Sequence, residues 1–426
     1  MSQITIQSAK FSGSIIAPPS KSLSHRVMIA AALSAGVSEI YGIRESVDIR
    51  ATKLCLETIG ANIKLEDNTM TVQGVGKPES LTDTTMFCEE SGSTLRFMIP
   101  IAALTGQFIS FDGKGKLKTR PIDPYFDIFE RSDIQYEYDN KLPLKIRGGL
   151  KSGIYEMPGH ISSQFVTGLL MALPLLTGNS ELIMTTKLES RDYVDLTLQV
   201  LASFGIEIIN HNYEKFEIQG NQNYKSQNMK IEGDYSQMAF WAVAGVIGND
   251  PIVIENATVD SKQGDARIFD ILKEMGGRIE VDGETLTVFP SKTKNIRIDA
   301  SEIPDLVPIL AVLGTFSEGT MEIYGAERVR LKESDRLAAI ACELNKVGGA
   351  VVETEDGIKI TGVNQLGGGT VDGWNDHRIV MAMSVAAIRC SSQLTIDGWE
   401  AINKSYPDFY RDYQKLGGVV NERDMG

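Results

Sequence analysis

Residues 20–33 read SKSLSHRVMIAAAL: a short polar turn, then a run that is apolar on every face. The same pattern returns five times, as SGSTLRFMIPIAAL (91–104), SSQFVTGLLMALPLL (162–176), GDYSQMAFWAVAGVI (233–247), IPDLVPILAVL (303–313) and NDHRIVMAMSVAAI (375–388). Measured at Ser22, Ser93, Ser163, Ser236, Asp305 and Asp376, the steps are 71, 70, 73, 69 and 71 residues. An internal repeat of this regularity sets the architecture. A helix that is apolar all round is buried, so only its N-terminus can meet a ligand. Helix N-termini carry free backbone N–H groups and the positive end of the dipole, which suits anions.

A second marker repeats in phase: an amphipathic helix, a glycine, then a β-rich run. It is visible in LETIGANIKL, LASFGIEII, LKEMGGRIEV, LNKVGGAVVE and YQKLGGVVN, with FERSDIQYEY as a copy lacking glycine. Each unit of about 70 residues therefore reads strand, buried helix, strand, amphipathic helix and two strands. Acidic or Asp-Gly turns, as in GRIEVDGETLTVFP and AVVETEDGIKITG, mark the closing hairpins. GKGKLKTRPID at 113–123, rich in Lys and Gly, is expected to be a mobile basic loop.

At 426 residues the chain has length for two or three domains, and six repeats divide into two sets of three. A hydrophobic fraction of 42% with 23% charged residues is that of an ordinary soluble globular protein. The formal net charge of −14 argues against nucleic-acid or anionic-membrane partners, so an anionic substrate needs a local basic cluster. The first residues, MSQITIQSAKFSGSI, lack the apolar core of a signal peptide, and no apolar run approaches a membrane span of about 20 residues. Four scattered cysteines and four histidines give no metal-ligand spacing. The expectation is a cytoplasmic protein without a metal or cofactor, its cysteines all small buried residues.

Four stretches concentrate functional side chains. In PPSKSLSHR, Ser20 can cap the first buried helix while Lys21 and Arg26 are cations placed where the dipole disfavours them, which a bound anion would explain. In ESGSTLR, Gly92 lets backbone approach a ligand. In HISSQ, the serines and Gln164 either cap a helix or donate to a phosphate, and Ser190 and Tyr193 add a pair of hydroxyls. In RLKESDR (330–336), two acids alternate with basic residues, either as a surface ladder or as a site; Asp305 and Asp376 are candidate caps nearby.

Taken in order and spacing, PPSKSLSHR, SGSTLR, SSQ, LKESDR, NDHR and NKSYPDF resemble the 5-enolpyruvylshikimate-3-phosphate synthase family over the whole chain. The resemblance implies an α/β fold, a two-domain inside-out α/β barrel of six βαβαββ repeats, three per domain, with the active site in the interdomain cleft. It implies a discontinuous domain, 1–19 with 233–426, and an inserted one, 20–232. The implied reaction joins phosphoenolpyruvate to the 5-hydroxyl of shikimate 3-phosphate, without a cofactor, in a monomer, with glyphosate as the inhibitor. By motif position, Ser22, Arg26, Ser162, Ser163, Gln164, Ser190, Tyr193, Asp305 and Lys332 would hold shikimate 3-phosphate. Lys21, Gly92, Arg120, Gln164, Arg336, Arg378 and Lys404 would hold phosphoenolpyruvate. Asp305, Glu333, Lys21 and Lys332 are the expected catalytic groups, Asp305 as base and Glu333 or Lys21 as acid.

The chain departs from the family at Glu90 and Arg328, where many or some relatives carry Asn. The sister transferase acting on UDP-N-acetylglucosamine is the rival reading, but its reactive cysteine has no counterpart in 113–123. A non-catalytic anion-binding protein would lack one of Asp305, Glu333 and Lys404, and all three are present.

Overall fold

The six apolar segments form helices Lys21–Ala32, Gly92–Ala102, Ser163–Ala172, Tyr235–Ile247, Val307–Thr315 and His377–Ala386 in a computed structural model that describes residues 2–258 and 260–423. Across these helices only Lys21, Ser22, Ser93 and Gln164 escape burial, and all four lie in a first turn. Burial of each Leu, Ile, Val, Met or Phe contributes roughly 1.5–3 kcal/mol. Five of the helices begin on a side-chain cap: Ser20, Ser91, Ser162, Asp234 and Asp376 each accept a backbone N–H two or three residues on. The remaining one starts from a 3₁₀ turn, Pro304–Leu306, and has no side-chain cap. Asp305 is thereby available for other partners.

The chain divides into two compact units, one of Pro19–Ile231 and the other of the chain up to Pro18 with that from Glu232 onward. Each holds three four-stranded sheets over its own apolar core. In one sheet, Thr85–Phe87 pairs parallel with Ile109–Asp112, which pairs antiparallel with Leu144–Arg147, and Gln135–Glu137 lies at the edge. The other sheets repeat this order. The parallel pair needs a crossover, which the buried helix supplies, whereas the antiparallel strands close through a hairpin.

Two strands do not stay with the helix that follows them. Gly13–Ile16, just before the first buried helix, pairs with Ile252–Glu255. Met229–Lys230, before the fourth, pairs with Val37–Tyr41. Gln3–Gln7 completes the sheet of Gly369–Asp372, Leu394–Asp397 and Val419–Arg423, so the two ends of the chain share one sheet. Within the unit Pro19–Ile231 two helices approach at backbone range: a Cβ on Gly168 would lie 2.5 Å from the Arg96 carbonyl and 2.6 Å from the Tyr125 hydroxyl. Only glycine fits there.

Two expectations need correction. The stretch 113–123 carries a 3₁₀ helix, Gly115–Thr119, because Leu117 is buried and Lys114 and Lys118 pair with Glu89 and Asp112. Cys342 is exposed, unlike Cys55, Cys88 and Cys390, because it faces outward on the amphipathic helix Arg336–Lys346.

Candidate active site

In the unit formed by the two chain ends, three basic side chains, two of them from helix starts, meet on Asp305. Arg336, first residue of helix Arg336–Lys346, donates through Nη1 to Asp305 Oδ1 at 2.8 Å. Arg378, at the start of the sixth buried helix, donates through Nη2 to Asp305 Oδ2 at 3.0 Å and to Ser236 Oγ at 2.9 Å. Lys332 Nζ lies 3.6 Å from Asp305 Oδ1. The carboxylate expected as base thus sits among three cations.

Arg336 anchors the cluster. It is 1% exposed, and it also binds Asp376 Oδ2 through Nε at 2.8 Å and Glu333 Oε2 through Nη2 at 2.7 Å. Burial works against its charge, yet Asp376, Glu333 and Asp305 together raise its pKa above the ordinary arginine value. Asp376, fully buried, caps the sixth helix through the Arg378 N–H and accepts from Ser334 Oγ at 3.0 Å. Of the RLKESDR run, then, Arg330 pairs outward with both Asp335 and Glu353, while Glu333, Ser334 and Arg336 turn inward. Lys404 donates to the Asn375 carbonyl at 2.6 Å, one residue from Asp376.

The other unit assembles a second set. Lys21 Nζ pairs with Asp48 Oδ2 at 2.9 Å. Arg26 is buried, with no carboxylate partner among the described residues; Nε donates to Thr197 Oγ1 at 2.8 Å, Nη1 to the Ser22 carbonyl at 2.8 Å and Nη2 to the Tyr193 carbonyl at 3.0 Å. Burial pushes its guanidinium down to about 10, with Tyr193 acting the other way. The Tyr193 ring lies 5.9 Å from the guanidinium carbon. Ser190, in the left-handed region at φ 54°, begins the helix that carries Tyr193.

Gln164 bridges two neighbours: its Oε1 accepts from Arg96 Nη1 at 2.7 Å and its Nε2 donates to Ser93 Oγ at 2.9 Å. Ser162 caps that helix, and Ser163 is its first residue. Arg120, which follows the 3₁₀ turn, lays its guanidinium against Gly92, where a Cβ would meet Nη1 at 2.7 Å. Sequence reading passed over Asp48, Thr197 and Thr167, whose Oγ1 accepts from Arg26 Nη2 at 3.4 Å. Asp48 reads as an ordinary first-turn acid, and nothing in the sequence pairs it with a lysine 27 residues earlier. Arg96 stands inside a quoted motif, but its bond to Gln164 spans 68 residues.

Cations and hydroxyls gathered at buried helix starts, in two sets, are the groups that recognition of multiply charged small anions calls for. Comparison with known proteins gives the class a family. The family described as EPSP synthase (3-phosphoshikimate 1-carboxyvinyltransferase) matches residues 6–413. The 3-phosphoshikimate 1-carboxyvinyltransferase of Clostridium novyi (strain NT) is 48% identical, with 100% of each chain covered. That of Clostridium kluyveri is 47% identical over 100% of each chain. A solved EPSP synthase from Acinetobacter baumannii superposes with a TM-score of 0.84 at 25% identity over 100% of both chains. The enolpyruvyl transferase NikO from Streptomyces tendae shares the fold, with a TM-score of 0.80 at 18% identity over 99% of this chain and 98% of its own. The chain belongs to the EPSP synthase family.

Among the described residues no helix is long and apolar enough to cross a membrane, and no group of three or more His, Cys, Asp or Glu is placed to hold a metal ion.

Proposed function

We propose that this chain transfers the enolpyruvyl group of phosphoenolpyruvate to the 5-hydroxyl of shikimate 3-phosphate, releasing phosphate. The hydroxyl oxygen attacks C2 of phosphoenolpyruvate while C3 gains a proton, giving a tetrahedral ketal phosphate. The C2–O bond to phosphate then breaks, C3 loses a proton, and the enol ether remains. The observation that carries this reading is the convergence of Arg336, Arg378 and Lys332 on Asp305. Planar guanidinium groups match both the carboxylate and the phosphate of phosphoenolpyruvate, and Asp305 lies at the same point to accept a proton.

In this reading Arg336, Arg378, Lys404, Lys21, Gly92, Arg120 and Gln164 hold phosphoenolpyruvate. Arg26, Ser22, Ser162, Ser163, Gln164, Ser190, Tyr193, Asp305 and Lys332 hold shikimate 3-phosphate. The buried, uncompensated charge of Arg26 supports an anionic ligand near the first helix start. Asp305 takes the hydroxyl proton, and Glu333 or Lys21 protonates C3. The six similar sheets support a reading as two domains, 1–19 with 233–426 and 20–232, each with three βαβαββ units in an inside-out barrel. We take the protein to act as a cytoplasmic monomer on small anions, with neither nucleic-acid nor membrane partners.

A phosphate-release assay with each acceptor separately tests the proposal. Release with shikimate 3-phosphate and none with UDP-N-acetylglucosamine is expected; the reverse result would overturn it.

A further inference from the structure

Behind Gly92 runs a chain of four buried polar groups that the reaction does not use directly. His25 Nδ1 meets Thr52 Oγ1 at 2.7 Å, and Thr52 Oγ1 meets Thr94 Oγ1 at 2.6 Å. Thr94 Oγ1 donates to Ser91 Oγ at 2.7 Å, and the Thr94 backbone N–H reaches the same oxygen at 3.1 Å. All four residues are buried. They come from three helices: the helix that presents Lys21, the helix Val47–Thr58 that presents its partner Asp48, and the helix that begins at Gly92.

Proton counting fixes the direction of this chain. Each hydroxyl has one proton. Thr94 gives its proton to Ser91, so Thr52 must give its own to Thr94, and His25 must donate from Nδ1 to Thr52. The imidazole is held neutral, because burial, then Lys21 and Arg26, push its pKa well below the usual histidine value. Among the described residues its Nε2 has no hydrogen-bond partner, and the ring meets Phe97 edge-on at 6.5 Å. A histidine sealed in this way can serve only as a fixed donor. At the other end, Ser91 Oγ accepts two hydrogen bonds, so its rotamer, and with it the turn into Gly92, is tightly constrained.

We propose that His25, Thr52 and Thr94 are positioning residues that lock Ser91 and so set the place of Gly92 against Arg120, tuning the subsite for the phosphoenolpyruvate anion. The clearance makes this turn sensitive: the Arg120 guanidinium lies within 2.7–2.9 Å of where a Gly92 Cβ would be. A shift of a few tenths of an ångström there alters an anion subsite without touching Arg26 or Tyr193. The inference rests on the proposed function for the identity of the anion.

The test compares Thr52→Val with Thr52→Ser. Val keeps the shape and removes the hydroxyl; Ser keeps the hydroxyl. Thr52→Val should raise KM for phosphoenolpyruvate about tenfold, leave KM for shikimate 3-phosphate within about twofold, and leave kcat little changed; Thr52→Ser should restore the wild-type value. Equal changes in both KM values, or none, would overturn the proposal, since a purely structural threonine would lower stability without splitting them. Should Thr52→Val fail to fold, nitrogen NMR of wild-type His25 decides. A neutral ring protonated at Nδ1, with that signal shifted by phosphoenolpyruvate, is the expected result, and an unshifted signal or the other tautomer refutes it. Absence of wild-type turnover would instead count against the proposed function, leaving the NMR measurement to judge the relay.

Discussion

Arg378 grips Asp305 by two routes: Nη2 reaches carboxylate Oδ2 at 3.0 Å while Nη1 reaches the backbone carbonyl of the same residue at 3.2 Å. The double contact fixes both where the carboxylate lies and how it is turned. It also ties the start of the sixth buried helix to the turn before the fifth. Ser236, bound by the same Nη2 and by Asp234 Oδ1, adds the start of the fourth.

Asp305→Asn should fold and keep one of its two side-chain bonds to Arg336 and Arg378, since the amide oxygen still accepts while the amide N–H₂ faces the other guanidinium; the Arg378 bond to the backbone carbonyl is untouched. The proton acceptor, however, is lost. The expected outcome is a fall in turnover on the order of 10²–10⁴ with both KM values changed far less. Steady-state phosphate release checks this, and near-normal kcat would move the base role elsewhere.

Asp376→Ala should act on stability first. The carboxylate is fully buried, holds Arg336 twice, takes the Ser334 hydroxyl and caps a helix. Its removal leaves Arg336 buried with only Glu333 and Asp305, and breaking a buried pair of this kind costs about 3–5 kcal/mol. Urea unfolding should show the loss as a lower midpoint. Asp376→Asn, which keeps the cap, should lose less.

Part of this was legible in the sequence. The six helix starts announce themselves because an all-apolar run behind a polar turn has one stable place, with its first turn alone exposed. What the sequence hides is partnership at long range. Gly13–Ile16 looks like the first strand of the first repeat, yet its pairing with Ile252–Glu255 is set by a strand some 240 residues away. Asp305 and Asp376 look alike as helix-start acids; only Asp376 caps, because Pro304 and Pro308 put Asp305 on a 3₁₀ turn instead. His25, Thr52 and Thr94 stand at unremarkable positions on three separate helices, so no local pattern predicts that their side chains join.

Acid should weaken the fold in part through His25. Its folded-state pKa lies well below the usual 6.5 owing to burial, then Lys21 and Arg26. Below pH 6.5 the unfolded chain therefore binds a proton that the folded chain refuses, so stability falls as pH drops through that value and is unaffected above it. One such group costs about 1.4 kcal/mol between pH 7.5 and 5.5. Urea denaturation of wild type and His25→Gln at the two pH values checks the sign: the variant should lose less stability by about that amount. An identical loss in both would show that the ring titrates normally.

Gly92→Ala should spare the fold and injure the site. Gly92 is the first residue of a helix, a backbone that alanine adopts readily, and alanine favours helices over glycine by about 1 kcal/mol. The obstacle is the Arg120 guanidinium, with Nη1, Cζ and Nη2 within 2.7–2.9 Å of the new methyl. This is the far end of a flexible side chain, so it can swing away at little cost to stability. The cation would then leave the position from which it binds phosphoenolpyruvate in the proposed reading. Thermal midpoints should match wild type, while KM for phosphoenolpyruvate rises; losing one charge-assisted contact costs roughly 1.5–3 kcal/mol, which is about ten- to a hundredfold. Glyphosate, which the family resemblance implies would occupy the same site and which is longer than phosphoenolpyruvate, should lose more, because the methyl removes space as well as displacing Arg120. Paired inhibition and Michaelis constants for the two proteins decide the matter: an unchanged ratio between inhibitor and substrate would mean that only the displaced arginine counts.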